Sequence, residues 1–224
     1  MTQRGNENAA APDLWAVERA CLAEGLSPVC GVDEAGAGPL AGDVYAAAVI
    51  LPEGWTAPYL NDSKKVTPKR REVLFDRIQA EAVSWAIGTA SAEEIDRLDI
   101  LNCRMLAMNR ALEALPVPPA LALIDGNRNH GSRIAIRCPN RTLVKGDSLS
   151  ASIAAASILA KVARDRYMVR MGEQYPEYGF AQHKGYGTQQ HLEALAKLGP
   201  CPLHRLTFRG VLPEKRHSEQ GTLL

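Results

Sequence analysis

Two rhythms of apolar and polar residues run along the chain. Short apolar, β-prone runs at Val29 to Asp33, Val44 to Leu51, Ser84 to Ala90, Leu121 to Asp125 and Arg141 to Val144 predict five strands. Between them the apolar residues recur at helical spacing. Leu14, Val17, Ala20, Cys21 and Leu22 predict a first helix, capped by Asp13 and ended by Gly25. Thr67-Pro68 opens a second that carries Val73, Leu74 and Ile78 inward. A short helix from Ala92 precedes a longer one from about Asp99, with Ile100, Leu101, Met105, Met108, Leu112 and Leu115 on one stripe. Pro116-Val117-Pro118-Pro119 stops it. A long helix follows from about Leu149 to Met171, and another near Gln189 to Leu198. Ala154, Ala155, Ala156 and Ser157 are small, which lets the long helix lie close on a sheet. Three strands of antiparallel character come first and parallel ones later, so the expected class is α/β with a mixed sheet and a helical C-terminal part.

A chain of 224 residues with 46% apolar residues suits one α/β domain with an appended piece, or two small domains. Residues 12–210 are expected to form a single domain, with a helical extension at about 172–210, a disordered tail at 1–11 and a flexible tail at 211–224. The formal charge of +1 counts against a strongly basic, indiscriminate nucleic-acid binder. Local basic groups stand out: Lys64, Lys65, Lys69, Arg70 and Arg71 form one, and Arg128, Arg133, Arg137, Arg141 and Lys145 another. Five cysteines without a CxxC pair suggest neither a disulfide framework nor a zinc ribbon. Reduced thiols in a cytoplasmic protein are the simpler reading. No apolar run is long enough to span a membrane, and a polar N-terminus shows no signal-peptide core.

Four acids have an unusual placement. Asp33 and Glu34 end the first strand, Asp125 ends an apolar strand, and Asp147 precedes the long helix. Taken singly, Asp125-Gly126 reads as a turn and Asp147 as a helix cap. Taken together, carboxylates at the carboxyl ends of neighbouring strands converge and repel unless a cation sits among them. Oxygen ligands without Cys or His suggest Mg²⁺ or Mn²⁺. Such ions serve phosphoryl transfer. Strand neighbours point to opposite faces, so Asp33 and Glu34 are expected to meet only if the pleat is lost there, which Ala35-Gly36 makes feasible. Gly36-Ala37-Gly38-Pro39-Leu40-Ala41 also fits a dinucleotide-binding G-x-G-x-x-A. That motif must open a helix, whereas here Pro39, Gly42 and a β-branched run follow.

The ordered set Gly31-Val32-Asp33-Glu34-Ala35-Gly36, Gly38-Pro39-Leu40-Ala41-Gly42, Asp62-Ser63-Lys64-Lys65, Ile124-Asp125-Gly126, Lys145-Gly146-Asp147, Ile153 to Val162, Arg164-Asp165, His183 to Thr188, His191 and Gly199 to Arg205 resembles ribonuclease HII, the type 2 ribonuclease H family. The resemblance runs from about Val29 to Phe208. It implies an RNase H-like mixed five-stranded sheet flanked by helices, and a metal-dependent endonuclease of two-metal type. The implied reaction hydrolyses the RNA strand of RNA–DNA hybrids and incises 5′ to single ribonucleotides in duplex DNA, leaving 3′-hydroxyl and 5′-phosphate ends. It implies Asp33, Glu34, Asp125 and Asp147 as catalytic, metal-binding acids with Mn²⁺ or Mg²⁺. It implies substrate contacts from Gly36, Ala37, Gly38, Lys64, Lys184 and Tyr186, the glycine backbone meeting the ribose 2′-hydroxyl. A monomer is expected, with hybrids and ribonucleotide-containing duplexes as its partners.

Several residues keep two readings. Tyr186 is a stacking platform between glycines or a turn tyrosine covering the core. His183, His191 and His204 are active-site groups or local hydrogen-bonders near phosphates. Lys161, Arg164 and Asp165 form a solvated helical face with an internal ion pair, or Asp165 steadies the site through its neighbours. The family's loop usually reads Gly-Arg-Gly, and Ala37 removes that guanidinium. The intact acids leave catalysis in place, while affinity or junction discrimination is expected to weaken. A related carboxylate-metal nuclease or strand transferase, and a non-enzymatic binder, are the alternatives; a binder gains nothing from acids facing phosphates.

Overall fold

Five strands appear in the predicted places, with ends moved by a residue or two: β1 Val29–Ala35, β2 Val44–Ile50, β3 Ser84–Ala90, β4 Leu121–Asp125 and β5 Asn140–Leu143. The structure, a computed structural model, describes residues 13–212. The tail expected at 1–11 and the part of the second tail from 213 onward lie outside the described residues. Val211, at the described end, is buried.

The sheet order is β3-β2-β1-β4-β5. β1 pairs antiparallel with β2, and β2 with β3. β1 pairs parallel with β4, and β4 with β5. The expected mixed sheet is therefore present, and its parallel central pair sends two carboxyl ends to one edge of the molecule. Val32 lies opposite Ile124, so Asp33 and Asp125 are the next residues on each strand.

Seven helices are seen among the described residues: α1 Ala16–Ala23, α2 Pro68–Glu81, α3 Ala92–Leu98, α4 Ile100–Glu113, α5 Ala151–Gln174, α6 Phe180–His183 and α7 Gln189–Leu198. The period-two alternation of β1 and β2 sorts their side chains between two layers. Cys30, Val32, Ala46 and Ala48 pack with Met105, Met108 and Leu112 of α4. Ala47 and Val49 pack with Ala154, Ala155, Ile158 and Leu159 of α5, and with Leu74, Phe75 and Ile78 of α2. Each fully buried Ile or Leu here contributes about 1.5–3 kcal/mol of transfer free energy. The small residues of α5 allow a very close approach. A Cβ built on Gly31 would stand 2.1 Å from the Ser152 carbonyl carbon and 2.2 Å from the Ile153 nitrogen, so only glycine fits this crossing.

Some local expectations change. Val73 is exposed, because α2 presents Leu74, Phe75 and Ile78 to the core and a period of 3.6 turns Val73 away. Leu101 is likewise on the outer side of α4. Thr67 occupies the cap position of α2 without a side-chain bond, and Pro68 supplies the start. Asp13 accepts from the Trp15 N–H at 3.0 Å, and α1 begins only at Ala16. α5 starts at Ala151 under a Ser150 cap, because the preceding residues Gly146–Ser148 wind into a separate 3₁₀ turn. Buried Glu18 of α1 braces that junction, accepting from Ser150 Oγ at 2.6 Å and the Ser152 N–H at 3.0 Å. After α5 the chain doubles back, and Tyr178, Phe180 and Ala194 pack with Met168 and Ala41 beneath the β1–β2 loop.

Candidate active site

The carboxyl ends of β1 and β4 open into a cavity of about 250 Å³. Asp33, Glu34, Asp125 and Asp147 all line it. The pleat of β1 is not lost, contrary to expectation. The β1–β2 ladder continues through Asp33–Ala47, Glu34–Ala46 and Ala35–Tyr45. The β1–β4 ladder instead stops at Val32–Ile124, which leaves that flank of β1 open. Both acids reach the gap around the sheet's end. Asp33 is on the α5 side with Gly31, and Glu34 is on the α4 side, where Arg104 Nη2 holds it at 2.8 Å. Asp147 arrives from the 3₁₀ turn. Gly146 beside it backs onto Asp125, since a Cβ there would stand 3.3 Å from Asp125 Oδ1.

These charges act on one another. Burial, then the charges of Glu34 and Asp125, push the Asp33 carboxyl well above the usual range, with Asp147 adding to the effect. Burial also raises Glu34, against the pull of Arg104. Burial raises Asp147 too, followed by the charges of Asp125 and of Asp62, a fifth acid on the cavity wall. Asp125 Oδ1 is buried without a hydrogen-bond partner. Among the described residues no three His, Cys, Asp or Glu side chains make a finished metal cage. The acids face one space from separate walls, and the neighbouring charges help to raise Asp33, Glu34 and Asp147 across it. An all-oxygen donor set with an unsatisfied buried oxygen fits a hard divalent cation.

Around the acids, Gly36, Ala37 and Gly38, Lys64, and Tyr186 line the same cavity. Tyr186 is 46% exposed, so its ring faces outward rather than covering the core. The 62–65 segment is anchored by Ser63, whose N–H donates to Ser157 Oγ of α5 at 3.1 Å. Arg71 donates to the carbonyls of Ser63 and Val66, each at 2.7 Å. Asp165 does not line the acid cavity. It pairs with Lys161 at 2.6 Å, which does line it, and with Arg71 at 4.0 Å. Lys184 is outside the cavity as well. Its Nζ donates to the Ala181 carbonyl, and it borders an adjoining groove with Arg166 and Arg170.

The helical face Lys161-Arg164-Asp165 is not uniformly solvated. Its ion pair is present, but Arg164 is only 1% exposed. The three histidines lie together in the C-terminal layer. His191 Nε2 is 3.0 Å from His204 Nε2, and the His183 and His191 rings stack at 4.5 Å. They bond to the main chain and to each other, not to the acids. Sequence reasoning missed Arg104 and Glu18, and gave no role to Arg205, the last residue of the Gly199 to Arg205 motif. Arg104 lies within the predicted helix, one residue before Met105 of its stripe, but nothing in its local sequence marks it as the partner of Glu34.

An RNase H-like sheet with acids gathered at the ends of its central strands defines a phosphodiester-cutting nuclease. The solved structure of ribonuclease H2 from Pyrococcus horikoshii is similar, with a TM-score of 0.70 at 25% identity over 82% of this chain and 94% of that one. The family model for ribonuclease HII matches residues 30–211. The ribonuclease HII of Syntrophotalea carbinolica is 53% identical over 84% of this chain and 88% of its own length. That of Caulobacter vibrioides is 54% identical over 89% and 91%. The chain belongs to the ribonuclease HII family. It is accordingly a ribonuclease H endonuclease acting on RNA–DNA hybrids. Among the described residues no helix is long and apolar enough to cross a membrane.

Proposed function

We propose that the enzyme also incises duplex DNA on the 5′ side of a single embedded ribonucleotide, and that all its cuts leave 3′-hydroxyl and 5′-phosphate ends. Asp33, Glu34, Asp125 and Asp147 are the catalytic acids and would hold Mg²⁺ or Mn²⁺. The observation carrying this reading is the meeting of four acids from β1, β4 and the 146–148 turn in one cavity, with Asp125 Oδ1 left unsatisfied. Held by these four acids, a divalent ion would supply Lewis-acid polarisation of the phosphodiester and a water made nucleophilic near neutral pH.

The chain's own groups do the rest. Arg104 keeps Glu34 turned to the cavity. Lys64 offers an ammonium to a phosphate at the rim, and Lys184 offers another from the adjoining groove. The Tyr186 ring stacks on the sugar or base at the junction. The backbone of Gly36, Ala37 and Gly38 approaches the ribose, and its N–H groups read the 2′-hydroxyl. Asp165 holds Lys161 and Arg71, and through Arg71 the segment that carries Lys64. The enzyme works as a monomer in the cytoplasm.

The test uses an end-labelled duplex with one ribonucleotide beside the same duplex in all-DNA form. A single cut 5′ to the ribonucleotide, with a product that a polymerase extends directly, is expected. Cutting of the all-DNA duplex at a comparable rate, or a product that cannot be extended, would overturn the proposal.

A further inference from the structure

The β1–β2 loop is gripped by two buried arginines through its carbonyl oxygens. Arg205 is fully buried. Its Nη2 donates to the carbonyls of Gly36 at 2.6 Å and Gly42 at 2.7 Å. Its Nη1 donates to those of Ala37 at 3.0 Å and Pro39 at 2.7 Å. Its Nε donates to Gly42 again at 3.0 Å, and its backbone N–H to Leu40 at 2.9 Å. Arg164 takes the Ala41 and Asp43 carbonyls at 3.2 and 3.1 Å. It also fills the space where any Gly36 side chain would stand, 1.9 Å from that Cβ position, and Gly36 has a φ of +94°. Every carbonyl from Gly36 to Asp43 except that of Gly38 is thus held by one of these two residues.

The consequence lies on the other side of each peptide. In a trans peptide the C=O and the following N–H point in opposite directions. With the Gly36 and Ala37 oxygens turned to Arg205, the N–H groups of Ala37 and Gly38 turn away from it. Both residues line the acid cavity, and the Gly38 Cβ position meets only open space. Two successive amides facing a cavity form a donor pair for an oxygen.

We infer that Arg205 is the positioning residue for recognition of the ribose 2′-hydroxyl: its fork turns the Ala37 and Gly38 amides toward the cavity, where that oxygen accepts from them. This rests on the proposed reading that the loop meets the ribose. A guanidinium supplies five donors in a fixed planar fork, as these five bonds require; an ammonium has three donors at one point and no fork. The loop's selectivity is therefore set from the C-terminal layer, a whole domain's length away in sequence.

The test measures the ratio of dissociation constants for an all-DNA duplex and for the same duplex with one ribonucleotide, in an Asp125→Asn background that does not cut. Arg205→Lys keeps the charge and loses the fork. It is expected to lower the ratio by about tenfold, the loss of roughly one charge-assisted or two neutral hydrogen bonds. A purely structural staple would weaken both affinities together and leave the ratio unchanged, which would overturn the inference. Gly38→Ala, placed in open space, separates the two levels. If Gly38→Ala lowers the ratio and folded Arg205→Lys does not, the role of Arg205 falls and the reading of the loop stands. If Gly38→Ala leaves the ratio unchanged, the loop reading itself falls. Should Arg205→Lys not fold, the amide resonances of Ala37 and Gly38 decide in the Asp125→Asn protein. They are expected to shift with the ribonucleotide duplex and not with DNA; shifts with both or with neither would overturn the inference.

Discussion

Gly31→Ala is a one-carbon perturbation with a calculable reach. The new Cβ would lie 2.1 Å from the Ser152 carbonyl carbon and 2.2 Å from the Ile153 nitrogen. Ordinary contact begins near 3.4 Å, so strand and helix must part by about 1.3 Å. The obstructing atoms are main chain, and no rotamer change relieves them. Overpacking of this kind typically costs ~1–3 kcal/mol, and an unyielding neighbour puts the cost at the upper end. The same displacement reaches the chemistry. Asp33 lies two residues along β1, and Asp147 lies on the turn whose Gly146 carbonyl accepts from Ser150 at 2.8 Å, just before α5. Parting β1 from the start of α5 therefore parts Asp33 from Asp147. A misplacement of about 1 Å can lower a rate by roughly 100-fold. Urea unfolding and kcat/KM on a hybrid substrate measure the two effects. The expected result is a midpoint loss matching 2–3 kcal/mol together with a rate loss of about two orders of magnitude. A variant within 0.5 kcal/mol and twofold of wild type would refute the packing argument.

Three further outcomes follow from particular groups. Asp33→Asn removes a buried charge whose neighbours repel it, so the metal-free variant is expected to be more stable than wild type by about 1–3 kcal/mol while losing the stabilisation that added Mn²⁺ gives wild type; paired thermal melts decide, and equal shifts with Mn²⁺ in both proteins would contradict the assignment. His204 is held down to about 4, first by burial and then by the charge of His191; its unfolded value is near 6.5, so its share of stability is complete above that pH and is lost as pH falls toward 4. The loss is on the order of 3 kcal/mol, and His204→Gln should flatten the pH dependence of unfolding in that window relative to wild type; an unchanged slope would sink this account. Ala37→Arg should tighten substrate binding at moderate salt and steepen its salt dependence; unchanged affinity and slope would show that the missing guanidinium makes no phosphate contact.

Much of the frame was legible because it rests on periodicity. The five strands and the long helices follow from runs such as Val44 to Leu51 and from the Ala154–Ser157 segment, whose small size foretold the close crossing at Gly31. The gathering of the acids was legible from Asp33, Glu34 and Asp125 at strand ends and Asp147 just before a helix. How Asp33 and Glu34 come together was not. The sequence suggested a broken pleat, whereas the shorter β1–β4 ladder opens the flank instead, and ladder length depends on both strands. Val73 was misplaced because an apolar residue beside a stripe looks like part of it. The roles of Arg205, Arg164 and Glu18 were illegible for a different reason. Their partners are main-chain groups or residues more than 100 positions away, and main-chain hydrogen bonding to a distant loop leaves no side-chain pattern. The histidines read as active-site groups or local hydrogen-bonders near phosphates, and only the fold assembles them into a buried cluster.

The central claim is that the four acids form a metal-dependent centre for cutting beside a ribonucleotide. Its most direct test is incision of a labelled DNA duplex carrying one ribonucleotide, with Mg²⁺, with Mn²⁺ and with chelator, for wild type and Asp33→Asn. The account predicts a single cut on the 5′ side of the ribonucleotide with either or both metals, none with chelator, and a loss of at least about 100-fold in the variant. Incision that persists in chelator, or at wild-type rate in Asp33→Asn, would contradict it.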